Sequence, residues 1–425
     1  MARIKAFCGI RYNKTKVNYS DVVTQPYDKI SPELLTAYYE RSPYTTARLI
    51  RNKSAEPYQA AAAELQNWLK EKILLPDAVP AIYAYHQEYQ LNGEKKVRKG
   101  FIALVGLEDF SKKIILPHEK TLAKPKADRL NLLRATKTHF GQIFLLYQDP
   151  QKQIEALLST ATAGEPEETA VDHFGDTHLL WKIEDQKIIQ QVSTLMTDKQ
   201  LLIADGHHRY ETSCNFAKEN NIALGSESPY GYTMATLVNA SDEGLTVLPT
   251  HRMLHGLTDF QEEAFLQKCA EYFEIKSHRS LEHTLEAMQE KRAQICLGFY
   301  SGKSLFYELT LKDLKIMAAL SGSAGVEKSA AWQKLDVAVL HTLILEKILG
   351  ITKAQQETQE NINYIRTAHS AFEQVLAGQE QTVFFLNPTT VEQTYATVLA
   401  GDIMPQKSTD FYPKLLSGMV FYQIA

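Results

Sequence analysis

The sequence predicts a mixed α/β protein of the α+β kind, and three observations carry that expectation. Segments with helical periodicity alternate with short strand-like runs along the whole chain. Two pairs of runs read as hairpins, one of them turning at Asn92-Gly93, which argues against a purely parallel sheet. At 425 residues the chain exceeds one ordinary core, so more than one domain is expected.

The elements follow in order. ARIKAFCGI opens as a strand, and TQPYDKIS breaks it. Ser31 caps a helix that begins at Pro32. YTTARLIR is strand-like, and AEPYQAAAAELQNWLKEKIL is rich in good helix formers. AIYAYHQEYQL and VRKGFIALVGL flank the Asn-Gly turn. A loop, ILPHEKTLAKPKADR, leads into the helix RLNLLRATKTH, then the strand QIFLLYQD. A second hairpin-like pair precedes the helix QKIIQQVSTLMT. The short apolar strand QLLIAD ends at Asp205-Gly206 and the helix HRYETSCNFAKEN follows. YTMATLVNA and LTVLPTHRML close this half. Beyond about Thr258 helices and strands alternate regularly, with one long helix expected over VAVLHTLILEKILG.

Composition narrows the function classes. The net charge is −4, whereas a protein that grips nucleic acid broadly carries a basic excess. The four cysteines are scattered without a CxxC pair, which fits the reduced thiols of a cytoplasmic protein. No run approaches the length of a membrane span, and the first residues lack the apolar core of a signal peptide. No GxGxxG follows a strand, and neither HExxH nor GxSxG occurs.

The sharpest constellation is Asp205-Gly206-His207-His208-Arg209, at a strand-to-helix junction. Helix N-termini expose N–H groups and favour anions. Gly206 removes the side chain where a phosphate would approach. Arg209 can fork onto phosphate oxygens. Asp205 is a candidate magnesium ligand, since that ion prefers one or two carboxylates plus phosphate oxygens. The alternative is a capped turn with surface histidines. A second candidate is His118-Glu119-Lys120, where Glu119 could serve as general base toward a hydroxyl. Between Lys112 and Lys137 eight Lys/Arg face two acids, and Lys124, Lys126 and Arg129 lie at a helix start. Such a patch suits phosphates, although a solvated face has the same composition. A third candidate is MPQKSTDFYPKLLSG, in which Lys407, Ser408 and Thr409 could hold a phosphate; without upstream glycines it is not a P-loop. Pro26-Tyr27-Asp28 and Thr250-His251-Arg252 place further polar groups just past strands.

PYDKIS, HEKT with KADRLNLLRAT, IADGHHRYET, LPTHR and MPQKSTDFYPKLLSG, in this order, resemble the family catalogued as domain of unknown function 1015, over about residues 5 to 424. More remotely, the strand–DGHHR–helix element is similar to the ParB/sulfiredoxin fold, which includes CTP-hydrolysing partition proteins, ATP-using sulfiredoxins and kinases of free L-serine. That resemblance implies a ParB/sulfiredoxin-like core with hairpin insertions over 1–255 as the nucleotide-binding catalytic region. A C-terminal α/β domain over 256–400 and a segment over 401–425 that returns to the site complete the expected organisation. It implies a nucleotide-dependent small-molecule phosphotransferase using Mg2+ with ATP or ADP, with free L-serine as the first acceptor to consider. Catalysis would fall to Glu119, Asp205, His207, His208 and Arg209. Binding would fall to Gly206, His118, Lys124, Arg129, Lys407, Ser408 and Thr409. The alternatives are a non-catalytic nucleotide or metabolite sensor, and a ParB-like nucleotide-switched DNA-binding protein, which would need a basic face and a helix-turn-helix.

Overall fold

The computed structural model describes residues 2–119, 123–323 and 327–424, without the side chains of 123–125 and 321–323. It is a mixed α+β protein. The chain divides into two compact units: Met1–Pro117 with Thr121–Thr246 and Phe411–Ala425, and His118–Lys120 with Val247–Asp410.

The first unit is built on a nine-stranded sheet. In chain order its strands are β1 (Ile4–Lys5), β2 (Ile82–Leu91), β3 (Glu94–Gly106), β4 (Ile115–Leu116), β5 (Ile143–Tyr147), β6 (Glu168–Val171), β7 (Thr177–Ile183), β8 (Leu201–Asp205) and β9 (Tyr232–Asn239). Their spatial order is β4-β8-β5-β9-β3-β2-β7-β6, with β1 paired to β3. The sheet is mixed: β5–β9 and β4–β8 pair parallel, and the other pairs run antiparallel. Asn92 and Gly93, the turn between β2 and β3, both have positive φ, as a tight hairpin turn of this hand requires.

Four helices of this unit matter below: α1 (Pro57–Lys70), α2 (Ala123–Thr136), α3 (Gln186–Met196) and α4 (His207–Glu219). Ile189, Val192 and Met196 of α3 recur at helical spacing and enter the core with Ile143, Leu145, Leu201 and Ile203 of the sheet. Tyr210, Cys214 and Ala217 bring α4 into the same core. Strand β8 lies inside the sheet, and Leu201, Leu202 and Ile203 are fully buried. Its register with β5 shifts between Ile203 and Asp205, so the ladder becomes irregular where the turn begins.

Two local expectations are revised. YTTARLIR forms a short helix, Ala47–Ile50, not a strand. The Thr45 hydroxyl accepts the Ala47 N–H at 3.4 Å, and this local bond starts a helical turn in place of a ladder. The long C-terminal helix is α-helical only over Asp336–Val339 and continues as a π-helix over Leu340–Ile348. Most of its side chains are buried, including Leu340, Leu343, Ile344 and Leu345, so surrounding packing sets its geometry.

The second unit carries a six-stranded sheet: β10 (His251–Leu254), β11 (Phe273–His278), β12 (Cys296–Tyr300), β13 (Phe306–Leu311), β14 (Ile362–Ile365) and β15 (Thr382–Phe385), in the order β11-β13-β12-β15-β10-β14. Neighbours pair antiparallel throughout. The regular alternation of helix and strand thus does not produce parallel crossovers here. Phe265, Phe299 and Phe384 pack against one another with tilted or edge-on rings in one core, which Leu340, Leu343, Ile344 and Leu345 of the π-helix share. Among the described residues no helix is long and apolar enough to cross a membrane. All four cysteines are free thiols, with Cys8 exposed and the others buried.

The π-helix buries His341, whose Nδ1 lies 2.8 Å from Gln356 Oε1. Burial, with the nearby Arg252 charge, holds this imidazole neutral, its pKa pushed down to about 3. A histidine depressed in this way stabilises the fold above its unfolded pKa of about 6.5, and the contribution is lost as pH falls toward the folded value. His341→Gln should therefore flatten the fall in melting temperature between pH 7 and pH 4, measured by circular dichroism. An unchanged slope would show that His341 does not carry it.

Candidate functional site

Strand β8 delivers Asp205 to the end of the sheet, and the backbone then turns through Gly206 into α4. Gly206 occupies the left-handed region at φ +94° and supplies no side-chain cap to the helix. A Cβ placed there would lie 3.0–3.2 Å from the guanidinium of Arg209. The glycine thus permits both the turn and the close approach of the arginine.

Arg209 folds back one helical turn. Its Nη2 donates to Asp205 Oδ1 at 3.3 Å and its Nη1 donates to the Gln142 carbonyl. The other carboxylate oxygen, Oδ2, accepts from Lys414 Nζ at 3.0 Å. Burial alone would raise the pKa of Asp205, but Lys414 and Arg209, with Lys29 beyond them, hold it well below the usual carboxylate range. The carboxylate is ionised at any physiological pH and is held by more positive charge than it carries.

Beside the turn is a cavity lined by Tyr27, Arg129, His139, Gly141, Arg209 and Ser417, among others. Arg129 stacks on the Tyr27 ring, 4.1 Å from its centroid, and donates to Asp128 and to the Ile50 carbonyl. Burial pushes the Tyr27 phenol up to about 12, against the pull of Arg209 and Arg129. It pushes the His139 imidazole down to about 4. At neutral pH both rings are uncharged hydrogen-bonding groups, and the charge belongs to the arginines. His207 is buried and His208 half-buried on the first turn of α4.

His118, Glu119, Lys407, Ser408 and Thr409 lie in the second unit. His118 Nε2 lies 2.8 Å from Thr409 Oγ1. Glu119 Oε1 accepts the Ser408 N–H at 3.1 Å, and Glu119 forms an isolated bridge with Met404. The His118 carbonyl accepts from Met404 N–H at 2.9 Å. Lys407 adopts positive φ, and its carbonyl accepts from the buried Arg252 at 3.0 Å. His118 and Glu119 and the KST segment, about 290 residues apart in sequence, are therefore one local structure. Lys124 lies in the first turn of α2, and its side chain is outside the described part of the structure.

Two residues at the turn were not among the sequence candidates: Lys414 and Lys29. Each lay in a segment already notable for its polar residues, PYDKIS or FYPKLLSG. Nothing in their spacing relates them to residue 205; only the folded chain does.

The chain belongs to the DUF1015 family of proteins of unknown function, whose profile matches residues 4–338. None of the curated proteins matches it in sequence. Among solved structures it is similar to a free serine kinase variant in complex with AMP, at 13% identity and TM-score 0.36, covering 70% of this chain and 84% of that one. It is also similar to a conserved hypothetical protein from Pyrococcus furiosus (14%, TM-score 0.35, 71% and 89%). A third is a C-terminally truncated SbnI from Staphylococcus aureus (12%, TM-score 0.36, 74% and 85%). A likeness of that size fixes no activity.

The geometry makes the glycine a sensitive position. Gly206→Ala combines a strained φ with a methyl group pressed on Arg209, and should destabilise by about 1–3 kcal/mol. Urea unfolding would measure it; a loss near zero would mean that the turn relaxes freely.

Proposed function

We propose that this protein is a nucleotide-dependent phosphotransferase that acts on a small hydroxyl-bearing molecule, with the phosphates of ATP or ADP held at the Asp205–Arg209 turn. One observation carries the reading: a single ionised carboxylate, clasped by Arg209 and Lys414, sits where an uncapped glycine opens the N-terminus of α4. Phosphoryl transfer demands positioning and neutralisation of developing charge more than covalent chemistry, and these groups supply both.

In this reading Arg209 forks onto phosphate oxygens and the backbone at Gly206 and His207 approaches them. His208 adds a donor, and Arg129 contributes charge from the cavity wall. Magnesium, when bound, neutralises phosphate charge. Among the described residues no cluster of three metal-ligating side chains exists, so the donor set fits an ion carried in with the nucleotide and touched by Asp205 alone. Within the second unit, Glu119 is the candidate base toward a hydroxyl, and His118, Lys407, Ser408 and Thr409 around it are candidate anion-holding groups. L-serine is the acceptor to test first, because the ParB/sulfiredoxin resemblance implies it. A non-catalytic nucleotide sensor is the second reading. It is favoured by the ion pairs of Asp205, which occupy the carboxylate that a metal would need.

Phosphorus NMR of the protein with magnesium, L-serine and either ATP or ADP separates the two. Phosphoserine formed by the wild type and lost in Asp205→Ala is the expected result. A nucleotide-dependent rise in melting temperature without any turnover would instead establish the sensor. Neither effect would remove phosphate chemistry from the turn.

A further inference from the structure

Arg98 is the least expected charge in the first unit. It lies on β3, 1% exposed, and among the described residues no carboxylate comes within ion-pair distance of it. A guanidinium removed from water in this way is unfavourable unless its donors are used. They are used on the backbone. Nη1 donates to the Tyr412 carbonyl at 3.1 Å and Nη2 to the Pro413 carbonyl at 2.6 Å. Nε donates to Gln87 Oε1 at 3.1 Å, and Nη2 reaches the same oxygen. Gln87, opposite Arg98 in the β2–β3 register, donates its Nε2 to the Lys414 carbonyl at 2.9 Å. Three successive carbonyls, 412 to 414, are thus gripped from one hairpin. Tyr85 Oη, 2.6 Å from His178 Nδ1, accepts the Leu416 N–H at 3.4 Å and extends the grip. The Tyr412 hydroxyl donates to Asp176 Oδ2 at 2.9 Å. The Phe144 ring covers Arg98, 4.6 Å from its Cζ.

The side chain that leaves this clamped stretch is that of Lys414, and it ends on Asp205. A guanidinium, a side-chain amide and a phenol spent on one short irregular segment are more than a loop needs for stability alone. We propose that Lys414 is a phosphate-binding cation of the nucleotide site and that Arg98, with Gln87, is its positioning residue, fixing the backbone from which it reaches the Asp205 turn. This rests on the nucleotide reading above. Arg98 touches no phosphate; it acts through Lys414.

A double-mutant cycle on the full chain tests it, with Mg-ATP as the calorimetric probe. Lys414→Ala and Arg98→Met should each weaken ATP binding by about ten-fold or more, the scale of one charge-assisted contact. The double variant should bind no more weakly than Lys414→Ala alone, because a positioning residue has nothing left to position. Unchanged affinity in Arg98→Met, or losses that multiply, would overturn the proposal. A readout without nucleotide separates its failure from failure of the nucleotide reading. Lys414 is only 10% exposed on its side chain. Its acetylation by acetic anhydride, followed by mass spectrometry and compared with Lys182 in the same unit, should accelerate several-fold in Arg98→Met. The milder Gln87→Met should do the same if Arg98→Met fails to fold. Equal Lys414 rates in wild type and variants would refute the clamp whatever the protein binds. Acceleration without ATP binding by the wild type would overturn the phosphate role of Lys414 and the nucleotide reading together, and leave the clamp standing.

Discussion

Lys414 and Arg209 close on opposite oxygens of Asp205, and much of the first unit is arranged to keep them there. Strand β8 must be buried in the sheet for Asp205 to emerge at a defined height. Gly206 must take the left-handed conformation for α4 to begin where Arg209 can turn back. The β2–β3 hairpin must present Arg98 and Gln87 side by side for the residue 412–416 segment to lie flat enough to send Lys414 inward. If any of these is removed, an ionised carboxylate remains in a partly buried place without the cations that make it tolerable.

The same arithmetic explains why the unit keeps a guanidinium as buried as Arg98. A carboxylate partner would neutralise it more simply. It would also compete for the donors that hold the 412 and 413 carbonyls. Solvation by backbone oxygens leaves the charge expensive but the geometry fixed, and burial lowers its pKa only to about 10, so it stays protonated. Arg252 in the second unit follows a similar plan, donating to the carbonyls of Thr250, Gln406 and Lys407. Both buried arginines act as internal fasteners for irregular backbone.

The mixed fold, the Asn92-Gly93 hairpin and the strand-to-helix junction at 205–209 were all legible, because each rests on short-range periodicity or on a turn with one chemical solution. The pairing of His118 and Glu119 with Ser408 and Thr409 was not legible, since nothing local links segments so far apart. Lys414 was invisible for the same reason: a lysine after a proline carries no signal of the acid it will meet. The short helix at Ala47–Ile50 was misread because β-branched threonines resemble a strand, while the Thr45 hydroxyl was already committed to a local turn. The π-helix was misread as plain α because periodicity cannot distinguish two ladders when most of the side chains are buried.

The contacts at Asp205 also differ in the length of chain they close. Arg209 is four residues away, whereas Lys414 is 209 residues away, and the carbonyls held by Arg98 are more than 300 from it. The arginine contact is thus local to one helical turn, whereas the lysine contact carries the entropic cost of closing a loop of about two hundred residues.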